Sequence, residues 1–220
     1  MSYLLCIDTA VDTASVCVAL GNTVLAQKQN RESREGAAWL HTAIDELLQE
    51  NGLMLPQLQA IAVSAGPGSY TGLRVGMAAA KGLCFALQRP LILIDTLQMM
   101  AVAAGVQEDT LLCPMIDARR MEVFTALYRT DLSVYMPSRN LILDESSFAE
   151  ELSLNRINFF GNGSTKFQPL CNHPNARFSE VEAFASHMAG LAAQAFERND
   201  FADLAYSEPN YGKDFHSVKQ

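Results

Sequence analysis

The sequence predicts an α/β protein of two related lobes, each a mixed sheet flanked by helices. Three observations carry that class. Short apolar runs ending in turn residues alternate with longer segments of helical periodicity, as strands and helices around a shared core do. The first three strand candidates are joined by hairpin-length turns, whereas the later ones are separated by helices and should lie parallel to their neighbours. Finally, residues 111–128, LLCPMIDARRMEVFTALY, echo residues 4–20, LLCIDTAVDTASVCVAL. Each is a strand ending in an aspartate (Asp117 or Asp8), then a polar turn and a second strand. The expected division is a first lobe over residues 1–106 and a smaller second lobe with a C-terminal tail over residues 107–220.

Tyr3 to Asp8 is a buried-strand pattern, Ser15 to Leu20 alternates, and Gly21-Asn22 makes the hairpin turn into Thr23–Gln29. After the polar stretch NRESREG, a helix runs from Ala37 to about Glu50 with Leu40, Ile44, Leu47 and Leu48 on one face, stopped by Asn51-Gly52. The apolar run Ala60–Ala65 ends in Gly66-Pro67-Gly68, and a helix follows from Gly72 to Leu87. Leu73, Met77, Ala80, Cys84 and Leu87 form one row of that helix, with the spacing of a packing seam. Gly72, Gly76 and Ala80 form a second row, small enough for another backbone to come close. Leu91–Asp95 is a strand and Leu97–Ala104 a Met-rich helix. The second lobe continues with strand material over Ser133–Leu143, a short helix near Ser146–Leu152, and a strand Ile157–Phe160 ending in GNG. Ser179 and Glu182 have capping-box spacing and predict a long helix there, with Val181, Phe184, Met188, Leu191, Ala192 and Ala195 buried. The tail from Tyr206 is an extended piece laid over the surface.

Composition narrows the function classes. A chain of 220 residues, half of them hydrophobic, has a sizeable core. No run approaches the roughly 18 apolar residues of a membrane span, and MSYLLCIDTA does not read as a secretory leader. Five dispersed cysteines without CxxC spacing fit reduced, buried thiols in the cytoplasm. The net charge of −8, with basic residues close together only at Arg31/Arg34 and Arg119/Arg120, speaks against this chain gripping nucleic acid alone.

Asp8 and Asp117, each ending the first strand of a lobe, have the arrangement of a two-lobed nucleotide cleft, with Thr9, Gly161 and Gly163 as its remaining candidate residues. Strand-end turn aspartates explain them equally well. Where such a cleft wraps phosphate, a DxGT turn is expected; here Asp8, Thr9, Ala10 and Val11 lack the glycine, and Asp12 adds charge of the wrong sign. The GxGxxxG spacing of Gly66, Gly68 and Gly72 matches neither dinucleotide nor P-loop fingerprints, and favours a sharp turn and close helix packing. His41, His173, His187 and His216 show no ligand pair, so no metal site is expected. Asn162 reads as a turn residue rather than a pocket wall. Arg74 and Lys81 lie one heptad apart: solvated by default, anion contacts if their face meets a partner.

The segments LLCIDTA, SAGPGSYTGLRVGMAAAKGLCFAL, PLILIDTL, PMIDARRMEVFTALY and EPNYGKDF strongly resemble the bacterial TsaB family, also called YeaZ. The resemblance implies the actin-like, sugar-kinase/Hsp70 fold and kinship with TsaD, which attaches threonylcarbamoyl to the adenosine beside the anticodon of tRNA. TsaD carries a metal-binding HxxxH after the strand that corresponds to PLILID; the matching positions here are Thr96 and Met100. The resemblance therefore implies a non-catalytic subunit without cofactor or metal. Such a subunit binds TsaD through the two first-lobe helices, with a TsaE-like ATPase joining and tRNA contacted only through the complex. On that basis the expected interface is Leu40, Ile44, Leu47, Leu73, Arg74, Met77, Ala80, Lys81 and Cys84, which can also close on itself as a homodimer. The competing expectation is an actin-like small-molecule kinase or ATPase using Asp8 and Asp117 around Mg²⁺-ATP.

Overall fold

The computed structural model describes residues 2–30, 36–105 and 109–212; Arg31, Arg34, His216 and the end of the tail lie outside them. Strands β1 (Tyr3–Asp8), β2 (Ala14–Leu20), β3 (Thr23–Asn30), β4 (Leu58–Gly66) and β5 (Leu91–Asp95) form one sheet in the order β3-β2-β1-β4-β5. Strands β6 (Thr110–Asp117), β7 (Glu122–Tyr128), β8 (Val134–Ile142), β9 (Arg156–Phe160) and β10 (Ala176–Phe178) form the other, in the order β10-β9-β6-β7-β8. Both sheets have the same plan. A three-strand antiparallel meander is extended from its first strand by two parallel strands, β4 and β5 in one sheet, β9 and β10 in the other. The sequence echo is thus a repeated supersecondary unit.

Helices α1 (Gly36–Glu50) and α2 (Tyr70–Leu87) cover one face of the first sheet. Their apolar rows meet β1, β2 and β4 in a core that includes Leu5, Ile7, Val16, Leu40, Ile44, Leu47, Ile61, Val63, Met77 and Cys84. Between the sheets lie α3 (Thr96–Ala104) and α6 (Ala189–Glu197), whose side chains join those of both sheets in a second core. A third core, rich in phenylalanine (Phe148, Phe159, Phe167), lies under α4 (Ala149–Leu154) and α5 (Ser164–Phe167) on the outer face of the second sheet. Among the described residues no helix is long and apolar enough to cross a membrane.

The predicted helix from Ser179 is absent. Residues 179–184 carry no regular structure, a 3₁₀ turn spans Ala185–Met188, and α6 begins only at Ala189. The capping pair has other work. The Ser179 N–H donates to the Phe159 carbonyl (3.1 Å), its hydroxyl to Asn158 Oδ1 (2.9 Å), and Glu182 is exposed. The turn is pinned on the other lobe instead, by Ala185 N–H donating to Ser15 Oγ (2.8 Å). Of the six side chains expected to be buried there, Met188 and Ala192 are; Val181, Phe184, Leu191 and Ala195 are half-buried.

After α6 the chain returns to the first sheet. Ala202 bridges Leu91 at the β5 edge, and Asn210 N–H reaches the Ala65 carbonyl (2.7 Å). The Lys81 ammonium binds the carbonyls of Ala205 (3.2 Å) and Ser207 (3.0 Å), and the Tyr211 ring meets Tyr70 at 4.9 Å. The tail is a strap over one flank of α2.

Candidate functional site

The two strand-end aspartates do not share a site: neither lines the cavity between the lobes, and the first is shut inside the protein. Asp8 is fully buried, its Oδ1 accepting from Ser64 Oγ (2.6 Å) and from Ala10 N–H (3.0 Å), while Oδ2 has no partner. Burial raises its pKa to about 6, against the two hydrogen bonds that pull it down. The loop after it is clamped on the start of α2. Ser69 N–H donates to the Ala10 carbonyl (2.8 Å) and Thr9 Oγ1 to the Gly72 carbonyl (2.7 Å).

This clamp explains the glycines. A Cβ at Gly72 would stand 1.9 Å from the Thr9 carbonyl oxygen, one at Gly76 2.3 Å from Thr9 Oγ1, and one at Gly68 2.4 Å from the Ala10 carbonyl oxygen. Gly66 has φ +112°, and a Cβ there would overlap the Asn210 carbonyl of the strap. Helix α2 begins at Tyr70 rather than Gly72, with the Ser69 hydroxyl accepting from Gly72 N–H as its N-cap. The small row therefore grips the chain's own β1–β2 loop, whose Ala10 N–H is already given to Asp8 Oδ1 and whose Ala10 carbonyl is held by Ser69.

Asp117 shares the bond from the backbone N–H two residues on, here Arg119 (2.6 Å), and differs in burial and in its charged partner. It is exposed, and Lys166 Nζ sits 2.5 Å from its Oδ1. Partial desolvation pulls its pKa up, but Lys166 and the Arg119 N–H together hold it below the ordinary carboxylate value. Asn162 proves to be more than a turn residue. Its Oδ1 accepts from Asp117 N–H (2.8 Å) and its Nδ2 donates to both carboxylate oxygens of Asp12 (3.0 and 3.2 Å), so it bridges the lobes. Gly161 and Gly163 shape this corner: a Cβ on the first would meet Met100 and the Met115 carbonyl at 2.5 Å, and on the second the backbone of Met115 and Ile116 at 3.0 Å. Lys166 and Ser64 escaped sequence reasoning, since neither lies in a recognisable spacing with the aspartate it serves.

The helix rows expected to form an interface point inward. Leu40, Ile44, Leu47, Leu73, Met77, Ala80 and Cys84 are each no more than 4% exposed. Their own sheet uses the whole apolar seam, so these seven side chains cannot meet a partner. Lys81 holds the strap, whereas Arg74 is exposed and stacks over the Tyr70 ring at 5.3 Å. The face α2 shows to solvent is Tyr70, Thr71, Arg74, Ala78, Gly82, Phe85 and Ala86, with Phe85 79% exposed. Beside it α1 exposes Ala38, His41, Thr42, Asp45 and Gln49.

Comparison with known proteins identifies this architecture. The family described as "TsaD: tRNA N6-adenosine threonylcarbamoyltransferase" matches residues 20–211. The tRNA threonylcarbamoyladenosine biosynthesis protein TsaB of Haemophilus influenzae is 33% identical over 165 residues, covering 70% of this chain and 67% of that protein. This chain belongs to the TsaB/YeaZ family. TsaB of Bacillus subtilis is also 33% identical, over 64% of this chain, and the match spans 62% of the Bacillus protein's length. A crystal structure from Pseudomonas aeruginosa, described as similar to peptidase YEAZ, superposes with a TM-score of 0.86 at 26% identity, over 97% of this chain and 100% of that one. The fold is the actin-like two-lobed one.

In this TsaB-family chain the two positions matched to the HxxxH of TsaD have structural duties. Thr96 is fully buried, its hydroxyl accepting from Gly66 N–H (3.1 Å). Met100 is 4% exposed and belongs to the core between the sheets. Neither side chain is a good ligand for zinc or non-haem iron. Among the described residues no three His, Cys, Asp or Glu side chains are grouped so as to hold a metal ion.

Proposed function

We propose that this chain is a non-catalytic scaffolding subunit of tRNA N6-threonylcarbamoyladenosine synthesis that binds a TsaD-like catalytic subunit. The observation that carries the reading is the clamped β1–β2 loop. Its Asp8 carboxylate is buried and takes up the Ala10 N–H, and the Thr9 hydroxyl and Ala10 carbonyl are bonded to the start of α2, which disfavours Mg²⁺-nucleotide there. With the cleft so altered, binding is the remaining way to serve the pathway named for its relatives. The docking surface is the outer face of α2 with the exposed row of α1. Ala78, Gly82 and Ala86 allow a helix to come close, and Phe85 projects as an apolar anchor. A stable pair buries about 800 Å² per partner, an area two adjacent helices can supply. A TsaE-like ATPase joins the pair, tRNA is met through the assembly, and without its partner the same face closes on a second copy.

Phe85→Asp and Ala78→Arg change exposed positions and leave the core intact. Each is expected to abolish co-purification with the catalytic subunit of the same organism and to reduce the modified nucleoside in tRNA, at unchanged Tm. Retained pairing and full modification in both variants would overturn the assigned face. Calorimetry with Mg²⁺-ATP tests the other half: micromolar binding by the isolated chain, lost in Asp8→Ala, would make it an ATPase-like protein instead.

A further inference from the structure

The cleft between the lobes keeps a cavity of about 350 Å³, within the range of small-molecule sites. Val11, Met100, Val181, Ala183 and Phe184 give it apolar walls. Asp12, Glu180 and Glu182 stand at its edge, and no lysine or arginine lines it. Apart from the Thr13 hydroxyl, which can donate, its side-chain hydrogen-bonding groups lean the same way. Ser164 Oγ donates to the Gly161 carbonyl (2.8 Å) and Thr165 Oγ1 to the Asn162 carbonyl (3.0 Å), so each can offer a ligand only lone pairs. The amide of Asn162 gives its Nδ2 hydrogens to Asp12. Glu180 and Glu182 are exposed, with no partner among the described residues.

We propose that this cleft binds a small amphipathic cation: an ammonium or guanidinium group on a short apolar body. A nucleotide is disfavoured because its phosphates would face three carboxylates with no lysine or arginine among the lining residues to offset them. A bare divalent cation is disfavoured by the walls, which offer hydrocarbon where a closed oxygen shell is required. An apolar body against Met100, Val181 and Phe184, with its charged head towards Glu180, Glu182 and Asp12, satisfies both halves of the cavity. The cleft of an actin-like fold has here changed the sign of the ligand it accepts. The inference rests on the cleft alone and not on the partner-binding face.

The test uses three probes of one shape and different charge: benzylamine, benzyl alcohol and benzoate, titrated into the ¹⁵N-labelled full chain at low salt. Benzylamine is expected to shift the amide signals of Asn162, Thr165 and Val181 and to bind at least about tenfold more tightly than benzyl alcohol, with benzoate not binding there. In the double variant Glu180→Gln/Glu182→Gln the benzylamine affinity falls about tenfold while that of benzyl alcohol holds. Equal binding of the alcohol, binding of benzoate, shifts elsewhere in the protein, or no binding by benzylamine would each overturn the proposal. Agmatine and a capped Gly-Leu-Arg-Leu-Gly peptide then separate the sources. Tighter binding of agmatine points to a free amine, tighter binding of the peptide to a protein side chain, and failure of both refutes the site.

Discussion

Asp8 and Asp117 end equivalent strands of a repeated unit, yet the protein treats them as opposites. The first is sealed under α2, held by Ser64 and Ala10, and its pKa is pushed up to about 6 by burial. The second stands in solvent on a lysine and is held low. The start of α2 packs on the Thr9–Ala10 loop beside the first carboxylate, whereas the second meets a lysine at the surface. The repeat preserved the backbone plan, and the packing around each strand end decided what its aspartate can do.

The sharpest way to break the comparison is at the glycines that seal the first loop. Gly72→Ala puts a methyl group 1.9 Å from a backbone oxygen of Thr9, which cannot rotate away. The overpacking cost is about 3 kcal/mol or more. The corresponding corner of the second lobe is looser: at Gly163 the nearest atoms to an added Cβ are Val123 Cγ1 at 2.9 Å and backbone at 3.0 Å. Gly163→Ala is expected to cost about 1–2 kcal/mol. Urea denaturation of both variants measures the difference, and equal losses would mean that the first loop is not clamped in solution.

Asp8→Asn sharpens the contrast from the other side. The amide oxygen keeps the bonds from Ser64 and Ala10. The folded pKa of about 6 lies above the ordinary aspartate value of 3.8, so the native state takes up a proton first as pH falls. Wild-type stability should therefore rise as pH drops from about 7 to about 4 through this group, by up to about 3 kcal/mol, and in Asp8→Asn that rise should vanish. At pH 7.5 the variant is expected to be more stable than wild type, less whatever the amide nitrogen loses in the place of the partnerless Oδ2. A denaturation series from pH 4 to 8 measures it. A metal-holding aspartate would give the reverse, a variant with lost ligand binding and no gain in stability.

How much of this was legible in the sequence follows from where each interaction is made. The strands of the first lobe, the α1 stop at Asn51-Gly52 and the lobe echo rest on local periodicity and turn chemistry, and the structure reproduces them to within a residue or two at most ends. The GxGxxxG spacing, wrong for a phosphate loop, fits the close packing that Gly68, Gly72 and Gly76 make on Thr9 and Ala10. Apportioning the helix faces failed for a physical reason. A single apolar row suits a sheet or a partner equally well, and the fold gave Leu73, Met77 and Cys84 to the sheet. The helix expected from Ser179 failed because a capping pattern is outweighed when Ser179 can extend the pairing beyond β10 and Ala185 can bond Ser15. Lys81, Asn162 and Lys166 act across 124, 150 and 49 residues of chain respectively, beyond any spacing rule.

The smallest expected effect belongs to the second aspartate. Lys166→Ala removes the ammonium from Asp117, but the carboxylate side chain is 40% exposed and water can replace the lost contact. The cost at pH 7 is about 0–1 kcal/mol, well below that expected for Gly72→Ala. Its sign with pH is opposite too. Because the folded pKa of Asp117 is depressed, the stabilisation is present above the unfolded value near 3.8 and disappears as pH falls through the folded one. Wild type and Lys166→Ala should therefore converge in acid, and added salt should narrow their gap at neutral pH. A gap of several kcal/mol, insensitive to salt, would show that Asp117 is as enclosed as Asp8 and would erase the asymmetry between the lobes.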